Sequence, residues 1–265
     1  QRKESPIGDK LFLEAMNLPQ RGGRVHALRR SPFLSLIALC FFGSLLGCVR
    51  RGFDLQGHRG ARGHRPETTL SSFRHAPDIG VNTPARDAGV TADGVVVVYH
   101  DEALNPDITR SADGEWLIGP GPALRSLEYG DLSAFDVGRL RPGSPYGNLF
   151  SEQQPVDGER IPKLRDVLFM AERVSGGTVR YNVETKLTPD TKGISPEEIA
   201  EAVLRSLTAA EVLDRSTLQS FDWRTLDAVR EIAKQTRGSA DAIATSCLTR
   251  EGDSDGDTIR RGEEG

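Results

Sequence analysis

Apolar positions along the chain fall into short blocks separated by polar, glycine- and proline-rich breaks, and the blocks alternate between two periods. Phe53–Gly57 (FDLQG) predicts a short strand, and Thr69–Ala76 predicts a helix closed by Pro77 and Gly80. Val81–Val90 reads as a strand with disturbed alternation. Val95–Tyr99 (VVVVY) is apolar without a break, which suits a strand buried on both faces, as in a parallel sheet. Residues 101–160, rich in Gly, Pro and Asp, predict a long loop excursion. Beyond it the alternation resumes. Lys163–Val174 (KLRDVLFMAERV) is an amphipathic helix and Val179–Lys186 a strand. Pro196–Ala209 is a helix with Ser195 at its N-cap and Pro196 at its first position. Thr217–Phe221 then reads as a strand, Asp222–Lys234 as a helix, and Ala242–Thr245 as a weak strand. Strands alternating with helices predict a parallel α/β sheet.

One apolar block fits neither period. Arg29-Arg30 and Ser31-Pro32 precede the run Phe33–Leu46 (FLSLIALCFFGSLL), which has no polar face and is shorter than the ~20 residues a membrane span needs. Positive residues, a short apolar stretch and a small residue before the cut describe a secretory signal. Its end, Leu45-Leu46-Gly47-Cys48, resembles a bacterial lipobox, which implies lipidation of Cys48 as the first residue of the mature chain. Met16 then reads as the translation start, residues 16–47 as the signal and residues 1–15 as upstream read-through. The expectation is an exported, lipid-anchored protein on the periplasmic or extracellular side of the bacterial envelope. Of Cys40, Cys48 and Cys247, the first lies within the signal. Lipidation at Cys48 would leave one thiol and no internal disulfide framework, and no Cys/His spacing suggests zinc.

Composition narrows the partners. The 265 residues are 37% hydrophobic and 27% charged, ordinary for a globular protein. Residues 48–265 carry 27 Lys and Arg against 35 Asp and Glu, so no basic face is available for nucleic acid, whereas a divalent cation would suit the acidic body. Setting aside the excursion, residues 53–265 hold about six βα units. A closed (β/α)₈ barrel typically takes ~250 residues. The expected fold is therefore a TIM-type barrel lacking its last two units, with a loop insertion at 101–160. A doubly wound sheet is disfavoured because no Gly-rich dinucleotide fingerprint follows the first strand.

Polar residues collect where these strands end. His58 and Arg59 follow the first, Asp87 lies late in the second, His100 and Asp101 follow the third, and Glu184 and Lys186 finish the fourth. Asn182, Glu184 and Lys186 are spaced by two, so all three face the barrel axis, where charge is costly and implies use. Two imidazoles can serve as general acid and base. Carboxylates can hold Ca²⁺ or Mg²⁺, and Arg59 and Lys186 can neutralise a phosphodiester. The set fits metal-assisted phosphodiester cleavage. His64, in a loop, and His75, on a helix, stand apart. The tail Asp253–Asp257 only superficially matches a Ca²⁺ loop, its Gly256 standing at the fourth rather than the sixth position, and reads as a solvated acidic loop.

Gly57–Thr69 (GHRGARGHRPETT) resembles the opening signature of the glycerophosphodiester phosphodiesterases, an HRG followed by a Pro-Glu pair. Val90–Asp101 (VTADGVVVVYHD), Ile161–Leu164 (IPKL), Tyr181–Lys186 (YNVETK) and Leu218–Asp222 (LQSFD) continue it in order over roughly residues 53–250. The resemblance implies a TIM barrel that hydrolyses glycerophosphodiesters to glycerol 3-phosphate and an alcohol. It implies His58 and His100 as the acid/base pair, Glu67, Asp87 and Glu184 as carboxylates for a divalent cation (Ca²⁺ or Mg²⁺), and Arg59 and Lys186 as phosphate contacts. The chain departs from the pattern in its second strand, Thr83-Pro84-Ala85-Arg86-Asp87. The family usually shows Glu-x-Asp there, and here Ala85 stands in the first acidic position. Pro84 removes a ladder hydrogen bond, and Arg86 is expected to point at the helix layer. Two other readings stay open: an inactive relic or phosphodiester-binding protein, and a related two-histidine phosphodiesterase acting on phospholipid head groups.

Overall fold

The computed structural model describes residues 53–189 and 191–249. Cys48, the signal, the residues before it and the acidic tail lie outside them. Six strands form one sheet: β1 (Gln56–Gly57), β2 (Thr83–Val90), β3 (Val96–Val98), β4 (Tyr181–Thr185), β5 (Ser216–Ser220) and β6 (Ala244–Cys247). The hydrogen-bonded order is β1-β2-β4-β5-β6, every pair parallel, with β3 attached to β2 alone. Consecutive parallel neighbours joined by helices are the staves of a (β/α)₈ barrel. No helix among the described residues is long and apolar enough to cross a membrane.

Among the described residues six α-helices accompany the sheet: α1 (Leu70–His75), α2 (Tyr129–Leu132), α3 (Pro145–Asn148), α4 (Leu164–Ser175), α5 (Pro196–Ala209) and α6 (Trp223–Arg237). Their ends follow local chemistry. Ser195 and Glu198 cap α5 reciprocally, with Pro196 in the first turn. Asp222 caps α6, and left-handed Gly176 and Gly238 close α4 and α6. One face of each longer helix supplies the main core: Leu164, Val167 and Leu168 from α4, Ile199, Val203 and Leu207 from α5, Val229 and Ala233 from α6.

The third strand corrects the expectation drawn from its apolar run. It is antiparallel to β2, Val98 lying opposite Ala88 and Val96 opposite Val90. The five-residue block is apolar because β3 separates two cores. Val96 and Val98 face the main one, while Val97 and Tyr99 face a second cluster with Leu104, Ile108, Leu124, Leu132 and Ile161. The excursion 101–160 is thus packed on its own apolar centre, with α2 and α3 as single-turn helices. His100 accordingly arrives on a returning strand rather than at the end of a parallel stave. The amide of Tyr99 donates to the Asp87 carbonyl (3.0 Å), which sets His100 down beside the middle of β2.

Arg86 points into the helix layer, as expected, and is 1% exposed. Its guanidinium lies between the rings of Phe73 (5.0 Å) and Tyr181 (4.5 Å). Nη1 donates to the Pro84 carbonyl (2.7 Å), whereas Nε and Nη2 have no partner among the described residues. Burial pushes its pKa down to about 10, against the opposing pull of Tyr181 and Glu172.

Candidate active site

The segment after β1 is shaped by two glycines. A Cβ on Gly57 would stand 2.3 Å from the Gly60 carbonyl, and Gly60 has φ +85° with Ser72 Oγ only 2.6 Å from where its Cβ would be. Arg59 between them is itself left-handed (φ 55°), a strained geometry held by Thr68 N–H and Ser72 Oγ, both donating to its carbonyl at 3.2 Å. This fold of the chain turns Arg59 inward and brings Glu67 back to it.

From there a chain of alternating charges crosses the strand ends. Glu67 Oε1 accepts from Arg59 Nη1 (2.6 Å), and Arg59 Nε lies 3.8 Å from Asp87 Oδ2. Asp87 Oδ1 lies 3.1 Å from Lys186 Nζ, which donates to Glu184 Oε1 at 2.5 Å. Asp87 and Glu184 are register partners on β2 and β4, so their side chains share one face. All three carboxylates and Arg59 are buried. Burial raises the Glu184 carboxyl above the usual carboxylate range, against Lys186, which lowers it, and with Asp87, which adds to the rise. Burial opposes the charge on Arg59, but Glu67 outweighs it and holds the guanidinium more firmly protonated.

The two histidines flank this chain with different partners. His58 Nδ1 lies 3.0 Å from Arg62 Nη2, a group that can only donate, so the neutral ring carries its proton on Nε2. Partial enclosure, Arg62 and Arg59 hold its pKa down to about 4, although the residue is exposed. His100 Nδ1 lies 2.5 Å from Asp101 Oδ1, and Asn105 Nδ2 donates to Asp101 Oδ2 (2.7 Å). Burial alone would raise the Asp101 carboxyl; the bonds from His100 and Asn105 outweigh it and lower it. A carboxylate on Nδ1 assigns the ring proton there, leaving Nε2 as an acceptor. The charge of His100 acts on His58, and that of Arg59 acts on both His58 and Asp101, so the two imidazoles belong to one electrostatic neighbourhood. His64 and His75 instead stack on each other at 5.5 Å.

Asp101, already among the strand-end polar residues, and two further residues, Arg62 and Tyr146, belong to this site. Asp101 orients His100, and its adjacency in sequence was the available signal. Arg62 fixes His58. Tyr146, delivered by α3 from the excursion, donates to Glu67 and accepts from Arg59 (3.1 Å); no local pattern marks it. Burial and Glu67 push its phenol up to about 12.

A cavity of about 350 Å³ opens beside these groups, lined by His100, Asp101, Glu102, Glu184, Lys186 and Phe221 among others. Its charged lining is three carboxylates with Lys186 and His100, and His58 and Arg59 are not part of it. A complete divalent-cation site is another matter. Asp87 and Glu184 converge, but Lys186 Nζ stands between them, Glu67 is engaged by Arg59 and Tyr146, and Ala85 is opposite Asn182 with only a methyl to offer. The expected trio of Glu67, Asp87 and Glu184 is therefore not assembled as one ligand set. Among the described residues no group of three His, Cys, Asp or Glu side chains is arranged to hold a metal ion.

The sequence profile of the Glycerophosphoryl diester phosphodiesterase family matches residues 58–254. A Glycerophosphodiester phosphodiesterase of Caldanaerobacter subterraneus is 26% identical over 66% of this chain and 61% of its own length. One from Bacillus altitudinis is 44% identical over 62% of this chain and 56% of its own. A solved Silicibacter pomeroyi structure that carries the glycerophosphoryl diester phosphodiesterase name superposes with a TM-score of 0.68 at 31% identity, over 74% of this chain and 64% of that one. The chain thus spans about three fifths of the length of these two relatives.

Proposed function

The chain belongs to the Glycerophosphoryl diester phosphodiesterase family, and from that membership and the strand-end charge chain we propose that it hydrolyses glycerophosphodiesters to sn-glycerol 3-phosphate and an alcohol. The observation that carries the reading is the different seating of the two histidines around Arg59 and Lys186. These two cations bind the diester and offset the charge that develops on it. His100, with its proton fixed on Nδ1 by Asp101, accepts through Nε2 the proton of the attacking hydroxyl, from water or from the substrate's glycerol. His58, neutral at its lowered pKa and carrying its proton on Nε2, donates a hydrogen bond to the leaving oxygen, which takes its own proton from solvent water at this exposed ring. The family generally uses a divalent cation; Asp87 and Glu184 are the carboxylates that would hold Ca²⁺ or Mg²⁺ here, but with Lys186 between them they form no complete site among the described residues, and the roles of His58, His100, Arg59 and Lys186 stand without the ion. In keeping with the signal-like segment, we propose that the reaction takes place outside the cytoplasm, tethered through Cys48.

The test is release of sn-glycerol 3-phosphate from glycerophosphocholine. His100→Ala and His58→Ala are each expected to lower the rate by about 10²–10⁴-fold, and an unchanged rate in His100→Ala would overturn the reading. Ala85 favours a second reading, a phosphodiester-binding relic. Release that is absent with added Ca²⁺ or Mg²⁺ and still absent in Ala85→Glu would establish it. Cleavage of an intact phospholipid but not of its deacylated product would point to the head-group enzyme instead.

A further inference from the structure

A second cavity, of about 320 Å³, lies behind the reaction cavity and shares a wall with it: Asp101, Glu102 and Lys186 line both. Its floor is apolar, made by Gly89 and Val90 at the end of β2, Leu124 from the excursion, and Ile194 and Ile199 at the start of α5. The roof is fixed in place. Arg125 Nη1 donates to the Thr91 carbonyl (2.6 Å) and Nη2 to the Gly193 carbonyl, fastening the excursion to both the β2 end and the β4–α5 loop. A Cβ on Gly89 would stand 2.9 Å from Leu124 Cδ1, so the roof rests directly on bare backbone.

Arg125, Lys186 and Glu102 on the border of this cavity already have partners, whereas the exposed Lys192, also part of its lining, has none among the described residues. Arg125 is bound to carbonyls and Glu102 Oε1 accepts from Thr191 Oγ1 (2.7 Å), while Lys186, paired with Asp87 and Glu184, is the cation assigned to the phosphate rather than to the alcohol. A hydroxyl-rich group entering the floor would surrender water without replacing its hydrogen bonds, which is costly. An alkyl group would gain from burial. At ~30 Å³ per small heavy-atom group the volume holds about ten non-hydrogen atoms.

We propose that this cavity is the leaving-alcohol subsite and that it selects glycerophosphodiesters whose alcohol carries an alkyl portion of several carbons over those of polyols. The proposal rests on the hydrolytic reading above, because Lys186 at the shared wall is the phosphate contact from which the alcohol departs.

The experiment uses glycerophospho-ethyl, -butyl and -hexyl esters with glycerophosphoinositol, measuring calorimetric affinity and kcat/KM separately on the full chain. Affinity and kcat/KM are expected to rise by about fourfold per buried methylene, up to about two-hundredfold from ethyl to hexyl, with the inositol ester weaker than the butyl one. Ala123→Trp, at an exposed position on the cavity rim, is expected to cut the hexyl-to-ethyl ratio at least tenfold. A hexyl ester that binds no better than the ethyl one, or a ratio untouched by Ala123→Trp, overturns the subsite. Rising affinity without turnover supports the subsite and refutes hydrolysis; turnover with a flat series does the reverse. No binding of any ester refutes both.

Discussion

Lys186→Met tests whether the ammonium is what holds the two strand-end carboxylates together. Lys186 Nζ is within 3.1 Å of Asp87 and 2.5 Å of Glu184, whose side chains are 4% and 10% exposed. Methionine keeps the length of the side chain and removes the charge, leaving two buried carboxylates facing each other. Arg59, 3.8 Å from Asp87, is then the nearest compensation. Taking one partner from a buried ionic group costs about 3–5 kcal/mol, and in a domain of this size each kcal/mol shifts Tm by about 2–4 °C. The loss at pH 7 is thus roughly 6–20 °C by thermal unfolding. The pH dependence gives the reasoning a sharper edge. The Glu184 pKa is already raised by burial against Lys186, and losing Lys186 raises it further. A carboxyl whose folded pKa lies above its unfolded value gains stability as pH falls through the folded pKa. The deficit should therefore shrink as the pH falls from 7 through the raised Glu184 pKa. A variant as stable as the parent at pH 7, or a deficit that grows on acidification, would refute the account.

Two other perturbations probe the charges on either side of the sheet. Arg86 is fully buried with its pKa lowered from 12.5 to about 10, so its charge costs about 3 kcal/mol at every pH below that value, and the cost fades only between pH 10 and 12.5. Loss of the ring contacts and the Pro84 bond offsets part of this, so Arg86→Met is expected to raise stability by about 1–2 kcal/mol in denaturant titration, and a net loss would contradict it. His58 should titrate near pH 4 by NMR; because Arg62 disfavours the imidazolium, Arg62→Ala should move that midpoint upward toward 6.5, and a downward move would rule out the assigned contact.

How much of this was legible in sequence depends on how local each cause is. Helix α5 has the predicted bounds because Ser195, Pro196 and Glu198 fix its start within four residues. Parallel order followed from alternation, and the shared face of Asp87 and Glu184 followed from strand period once the register was known. The sense of β3 did not follow, because an apolar run reports burial on two faces without saying what covers each. The partners of Glu67 were hidden for a related reason. Tyr146 lies 79 residues away and meets it only because the excursion folds on its own centre. Ala85 and Arg86 were visible as anomalies, but only coordinates show the second enclosed by Phe73 and Tyr181.

Because β3 is a party wall between two cores, residues 101–160 cannot be exchanged between relatives as a free module. Val97 and Tyr99 belong to the excursion's packing, while Val96 and Val98, their alternating neighbours, belong to the barrel's. A graft that carried the excursion without the strand would mismatch Tyr99, and His100, the next residue, would be displaced with it. Successful chimaeras should therefore be cut before Val95 rather than after Asp101, so that the histidine travels with the insertion.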